Sequence, residues 1–263
     1  MKTFLPFIST RLSVLGVESI FPASQIASIK ALGPGWVRYN GVRWPDQINR
    51  NQLDVLNKMR CNTIVVVQTN GFIPTILQQT QIAEFITGLS LQYPKITAWE
   101  LWNEADAPLF GSSYFLGGGW ENNPRGYAAF LSTVLSQNPK LTILSSGLAE
   151  VGRWIETVLS TSIKPSGISF HSYNYMPDTS TTRLNTKMSF LKSRTSIPLY
   201  LTETSVLSDV DNDKEKAQYL TNLYSFAVQQ KLRSAIWYTA GGNDWRNSDL
   251  EGLSREKFIE ITH

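Results

Sequence analysis

The chain has 263 residues, 42% of them hydrophobic and 17% charged, with a net charge of +3. That is ample material for a core, and the scattered Lys and Arg show no nucleic-acid footprint. A single cysteine, Cys61, excludes an internal disulfide, and two histidines, His171 and His263, exclude a zinc site built from several imidazoles.

Any Ser-His-acid triad would have to use His171. Cys61 falls between a helix signal and a strand signal, where a buried apolar thiol is expected rather than a nucleophile. No run of about 18 apolar residues occurs, so no membrane partner is expected. The apolar patch at residues 4–8 is too short for a secretory h-region. The default expectation is therefore a cytoplasmic chain, or an exported one if a leader has been removed.

Strand signals recur at residues 12–17, 36–40, 62–68, 96–104, 141–145, 167–173, 199–203 and 234–239. Most are continuous apolar runs, as in parallel strands buried on both faces. The intervals carry helical spacing: Leu53, Leu56 and Met59; Ile82, Phe85, Ile86 and Leu89; Tyr127, Phe130, Leu131 and Val134; Trp154, Ile155, Val158 and Leu159. The clearest is Ala217, Leu220, Leu223, Tyr224 and Ala227, with Asp211-Asn212-Asp213 before it as capping material. Pro34, Pro94, Pro139, Pro165 and Pro198 each stand shortly before a strand, where proline ends a helix and costs no ladder hydrogen bond.

Strand starts about 30 residues apart match one βα unit each. The expected fold is a (β/α)8 TIM barrel forming one domain over residues 1–263. The rival is a doubly wound open sheet, but Gly16-Val17-Glu18 at the end of the first strand is no Gly-rich phosphate loop. The longest connection, residues 105–125, contains Gly117-Gly118-Gly119 and Trp120 and directly follows the fourth strand. Such long loops are usually functional.

In this fold, polar residues at the C-terminal strand ends form the site. Collected in order they are Arg38 and Asn40, Gln68 and Asn70, Asn103 and Glu104, His171 and Tyr173, Glu203, then Trp237 and Tyr238. Two acids, an arginine, amides, one histidine and aromatics, with no metal-ligand set and no phosphate loop, suit a neutral polyhydroxylated substrate. No metal and no cofactor are expected.

Trp102-Asn103-Glu104, His171-Ser172-Tyr173, Thr202-Glu203 and Trp237-Tyr238, in that order and strand context, resemble the large clan (clan A type) of (β/α)8 retaining glycoside hydrolases. Within it they are most similar to the xylosidase/iduronidase-like, family 39-like branch, over residues 36–253. Ala105 stands where that branch often has proline. The resemblance implies that Glu104 is the acid/base and Glu203 the nucleophile. It also implies that Asn103 contacts the sugar hydroxyl beside the reacting carbon, that Arg38 and Tyr173 hold Glu203, and that Trp237 floors the subsite of the cleaved sugar. His171 joins them as a substrate-binding candidate.

Such chemistry needs one ionised and one protonated carboxyl group about 5–5.5 Å apart. Arg38 beside Glu203 would favour its charged form, and the negative Glu203 with aromatic burial would raise Glu104. Glu100 lies four residues before Glu104, roughly 13 Å deeper on an extended strand. It is expected to be a structural ion-pair partner. Glu18 could line the site or lie outside it. Trp44, Trp102, Trp120, Trp245 and Asp244 stay open between packing and sugar contact.

The leading reading is a retaining hydrolase of a β-linked oligo- or polysaccharide, endo-acting because short loops predict an open groove, and monomeric. Alternatives are a carbohydrate-binding pseudo-enzyme, or a transglycosylase or lyase on the same barrel.

Overall fold

The computed structural model describes residues 13–19, 22–108, 118–208, 213–238, 250 and 252–263. Eight strands alternate with eight helices among them: β1 (Leu15–Glu18), α1 (Pro22–Leu32), β2 (Trp36–Trp44), α2 (Arg50–Asn57), β3 (Asn62–Thr69), α3 (Ile76–Gln92), β4 (Ala98–Leu101) and α4 (Pro124–Gln137). The second half continues with β5 (Ile143–Leu144), α5 (Arg153–Leu159), β6 (Ile168–Tyr175), α6 (Thr182–Lys192), β7 (Leu199–Leu207), α7 (Asp213–Gln229), β8 (Ser234–Trp237) and α8 (Gly252–Thr262). Every ladder pairs parallel strands, in the order β5-β4-β3-β2-β1-β8-β7-β6. The two outer strands meet through parallel bridges, Leu144 to Gly167 and Leu148 to Phe170. The sheet closes on itself, as a (β/α)8 barrel requires. No helix among the described residues is long and apolar enough to cross a membrane.

Side chains alternate between the barrel interior and the helix layer. Trp36, Ile64, Ala98, Leu144, Tyr200 and Ile236 point inward and form a small apolar cluster. The Trp36 and Tyr200 rings meet edge-on at 5.8 Å. A larger cluster, including Leu15, Val17, Val65, Val67, Leu101, Leu220 and Leu223, packs the strands against the helices. Burial of each such Leu or Val contributes about 1.5–3 kcal/mol.

The helices are started by local chemistry. Thr75 and Gln78 make a reciprocal capping box on α3, and Asn123 caps α4 ahead of Pro124. Asp213 opens α7, and its carboxylate also accepts from the N–H groups of Leu253 and Ser254 in the first turn of α8, at 2.5 and 3.0 Å. The other expected capping residues, Asp211 and Asn212, lie outside the described residues. Cys61 is half-buried, and burial pushes its thiol up to about 11, which suppresses the thiolate.

Two irregularities shape the mouth of the barrel. The fourth strand stops at Leu101, three residues short of the expected end. Trp102 (φ 79°) and Glu104 (φ 47°) turn into the left-handed region, which costs a bulky residue about 1–2 kcal/mol. On β7, the register against β6 steps from Phe170–Leu201 to His171–Glu203. Thr202 is therefore an extra residue, a β-bulge that places Glu203 on the inward face beside His171.

Candidate active site

Arg38 stands two residues above Trp36 on β2, so its side chain enters the barrel directly over the apolar cluster. It is completely buried and spreads its donors over four acceptors. Nη1 donates to Glu18 Oε2 at 2.7 Å and to Glu203 Oε1 at 2.5 Å. Nη2 donates to Glu100 Oε1 at 2.5 Å and to Asn103 Oδ1 at 2.7 Å. Burial alone would lower the guanidinium pKa, but Glu100, Glu18 and Glu203 together hold it well above its ordinary value.

Glu203 takes its second hydrogen bond from the Tyr173 hydroxyl, on Oε2. Burial, and then the negative Glu203, push the Tyr173 phenol well above its ordinary range, so it stays a donor. His171 Nδ1 lies 2.9 Å from Glu104 Oε1 and 3.5 Å from Glu203 Oε2. Burial pulls this imidazole down to about 4, against the raising effect of Glu203, so it is neutral at pH 7. Gly147 is required at its edge, because a Cβ there would come within 2.3 Å of His171 Nε2.

Glu104 is the more open of the two acids, with 17% of its side chain exposed against 7% for Glu203. Burial raises it to about 7, with Arg38 and Lys187 pulling the other way. One donor atom each from Glu104, His171 and Glu203 lie within 4.8 Å of one another. Among the described residues this is the one trio of acid or imidazole groups close enough to share an ion. It coincides with the acid pair.

The left-handed turn that carries Glu104 is tied down on every side. The Asn103 N–H donates to Gln68 Oε1 at 3.0 Å, the Glu104 N–H to the Gly147 carbonyl at 2.8 Å, and the Ala105 N–H to Ser146 Oγ at 2.8 Å. Asp106, pushed up to about 6 by burial, accepts from the N–H groups of Ala149 and Glu150. Lys187 Nζ reaches the carbonyls of Ala149 and His171 at 2.5 and 3.1 Å. These bonds fix the β5–α5 loop beside Glu104. The sequence reading missed Asp106, Ser146 and Lys187 because their contacts come from loops and from a helix it had not placed.

Arg38, Asn103, Glu104, His171, Tyr173 and Glu203 are thus brought together as expected from their strand ends. Glu100 pairs with Arg38, but its depth needs correction. The 13 Å estimate assumed an extended strand through residue 104, whereas the turn at Trp102 lets Glu100 and Asn103 share one guanidinium nitrogen. Glu18 belongs to the same cluster.

Trp237 also needs correction. Its inward neighbour Ile236 belongs to the apolar floor, so Trp237 points to the helices, where it is completely buried 6.1 Å from the ring of Tyr219. A sugar cannot stack on it there. Tyr238 is the inward residue; its ring meets Tyr173 edge-on at 6.2 Å.

Trp102 and Trp120 are packing residues, buried together with Phe130 at 5.8–6.3 Å between centroids. Trp44 is half-buried, 6.4 Å from Phe72. Asp244 and Trp245 lie outside the described residues.

The barrel superposes on solved structures that include glycoside hydrolases. A glucosidase from Croceicoccus marinus superposes with a TM-score of 0.70 at 14% identity, over 98% of this chain and 68% of that one. A mutant GH128 (subgroup I) endo-β-1,3-glucanase from Amycolatopsis mediterranei, in complex with laminarihexaose, gives 0.61 at 12% identity, over 94% and 98%. A GH128 (subgroup VII) oligosaccharide-binding protein from Trichoderma gamsii gives 0.60 at 11% identity, over 99% and 98%. The sequence matches no protein-family model and no curated protein. At these identities the likeness establishes the fold.

Proposed function

We propose that this protein is a retaining glycoside hydrolase that cleaves β-linked glucans, with Glu104 as acid/base and Glu203 as nucleophile. The observation that carries the reading is the spacing of the two acids. Their oxygens lie within 4.8 Å, bridged by a neutral His171. That supports double displacement, whose carboxyl groups stand roughly 5–5.5 Å apart, over inversion, in which they stand about 6.5–9.5 Å apart.

The two environments divide the labour. Glu203 has donors on both oxygens, Arg38 and Tyr173, which suits an anion poised to attack the anomeric carbon. Glu104, raised to about 7, still holds its proton in a large share of the molecules at neutral pH and gives it to the leaving oxygen. The attack turns Glu203 into a neutral ester and leaves Glu104 ionised. Glu104 then removes a proton from water, whose oxygen attacks the anomeric carbon and restores the Glu203 carboxylate. Arg38 fixes the pose of Asn103 by holding its Oδ1 through Nη2, and in this reading Asn103 contacts the sugar hydroxyl beside the reacting carbon. Tyr238 beside Tyr173 takes over the stacking role first expected of Trp237.

The fold shared with an endo-β-1,3-glucanase supports a β-1,3-glucan as substrate and cleavage within the chain. The family 39-like branch receives no support from the structural neighbours, so a xylosidase-like substrate is not proposed. The test is release of reducing ends from a panel of β-1,3-, β-1,4- and mixed-linkage glucans by wild type and Glu203→Ala. The expected result is activity on a β-1,3-glucan that falls roughly 10⁵-fold in the variant. Tight glucan binding with no turnover in either protein would instead support an oligosaccharide-binding role.

A further inference from the structure

The acid pair engages two inward residues of β6, His171 and Tyr173, but not the next one along. From His171 onward the strand runs beside β7 without a break in register: His171 against Glu203, Tyr173 against Ser205, Tyr175 against Leu207. Alternation therefore puts Tyr175 on the same face as His171 and Tyr173. The opposite face agrees, since Phe170 and Val206 pack in the cluster between strands and helices. Two residues of extended strand set Tyr175 roughly 7 Å further towards the mouth than Tyr173, whose hydroxyl binds Glu203.

Packing does not use this ring fully. Tyr175 stays 47% exposed, whereas Leu207 beside it is buried. Its backbone is nevertheless fixed. The Asp178 N–H donates to the Tyr175 carbonyl at 3.0 Å, and the Met176 N–H to the Leu207 carbonyl at 3.1 Å. Asn174 Nδ2 closes the following turn on the carbonyls of Asp178 and Ser180, at 3.1 and 2.6 Å. The ring is held as well. The guanidinium of Arg183, in the first turn of α6, lies over it, 5.8 Å from the centroid. Arg183 also faces the carboxylate of Glu150 at 3.8 Å. Glu150 belongs to the β5–α5 loop, which Asp106 ties down beside Glu104.

A ring placed and oriented in advance loses little freedom when a ligand stacks on it. A pyranose offers such a ring a face of C–H groups, with hydroxyls around the edge, and a tyrosine meets it with an apolar body and a polar tip. We propose that Tyr175, with Leu207 beside it, forms a second sugar subsite, on which a β-glucan stacks the glucose unit next to the one held over the acid pair. This deepens the glycosidase reading above and rests on it. The site then grips a chain rather than a single sugar, and its selectivity for longer oligosaccharides comes from the rim of β6 and β7.

The test compares a β-1,3-glucan hexasaccharide with the trisaccharide. In Tyr175→Ala, the ratio of kcat/KM for the hexasaccharide to kcat/KM for the trisaccharide is expected to fall about 3–10-fold, as loss of one aromatic contact implies. Tyr175→Phe keeps the ring and is expected to restore the ratio, which a general loosening of the fold would not do. Calorimetric titration of laminarihexaose reads the same contact without turnover. In a Glu203→Ala background, Tyr175→Ala is expected to raise Kd about 3–10-fold.

An unchanged ratio and Kd in Tyr175→Ala, or a Tyr175→Phe variant as poor as Tyr175→Ala, overturns the subsite and leaves the glycosidase reading standing if cleavage persists. A wild-type chain that cleaves no glucan, yet binds laminarihexaose in a way that Tyr175→Ala weakens, overturns the glycosidase reading and leaves the subsite. A wild-type chain that neither cleaves nor binds the hexasaccharide overturns both.

Discussion

Two residues separate the floor of the barrel from the charged layer above it: Trp36 from Arg38 on β2, Ala98 from Glu100 on β4, Gly16 from Glu18 on β1. The same strands, with the same inward parity, build both layers. The floor is held by contact alone, with the Trp36 and Tyr200 rings edge to edge. The charged layer is held by hydrogen bonds that converge on one guanidinium. Apolar packing tolerates swaps that conserve volume. A buried ionic network fails abruptly, because removal of one partner strands the others without water. The barrel thus places its charged chemistry directly on an apolar support.

After the loss expected of Glu203→Ala, the next effect at the mouth comes from Glu104→Gln, which removes the proposed proton donor and is expected to slow glucan hydrolysis roughly 10²–10⁴-fold. In the proposed mechanism, catalysis requires Glu104 protonated. Since burial raises this group to about 7, kcat/KM is expected to fall as pH rises through about 7. Substrates with a leaving group that needs no proton are expected to lose little in the variant, and an equal loss for all leaving groups would contradict the assignment.

Next come paired substitutions in the two layers. Arg38→Met strands three buried carboxylates and is expected to cost about 3–5 kcal/mol of stability together with nearly all activity. Trp36→Ala opens a cavity of comparable cost, about 3–5 kcal/mol. The activity of each remaining folded molecule is nonetheless expected to hold. Urea melts combined with specific activity per folded fraction separate the two. Equal loss of activity in both would erase the distinction between the layers.

The smallest effect lies on β8. Tyr238→Ala is expected to raise KM by about 2–10-fold with little change in stability, as loss of one aromatic contact implies. Trp237→Phe is expected to lower stability by about 1–3 kcal/mol with KM unchanged. The reverse pattern would restore Trp237 to the sugar.

Much of this was legible in the sequence. The eight strands could be located because parallel strands buried on both faces write themselves as continuous apolar runs, and the gathering of six polar residues at one mouth followed from their positions at strand ends. Helices α1, α6 and α8 escaped because their few buried residues, such as Leu184, Met188 and Leu191 on α6, make a thin stripe. Trp237 was misassigned because an apolar run hides its own parity. Nothing in Ser234-Ala235-Ile236-Trp237 says which side faces in until Ile236 is seen among the floor residues. Glu100 was misplaced because the left-handed turn falls on Trp102 itself, where no glycine announces it. The Thr202 bulge is equally silent, yet without it Glu203 would face the helices.

The most direct test of the paired acids is the stereochemistry of the first product. Proton NMR of a β-1,3-glucan oligosaccharide during the first minutes of hydrolysis, before mutarotation, reads the anomer released. Acids whose oxygens lie within 4.8 Å predict the β-anomer, formed by two inversions through Glu203. The α-anomer would mean a single displacement by water, and would contradict the assignment of Glu203 as nucleophile.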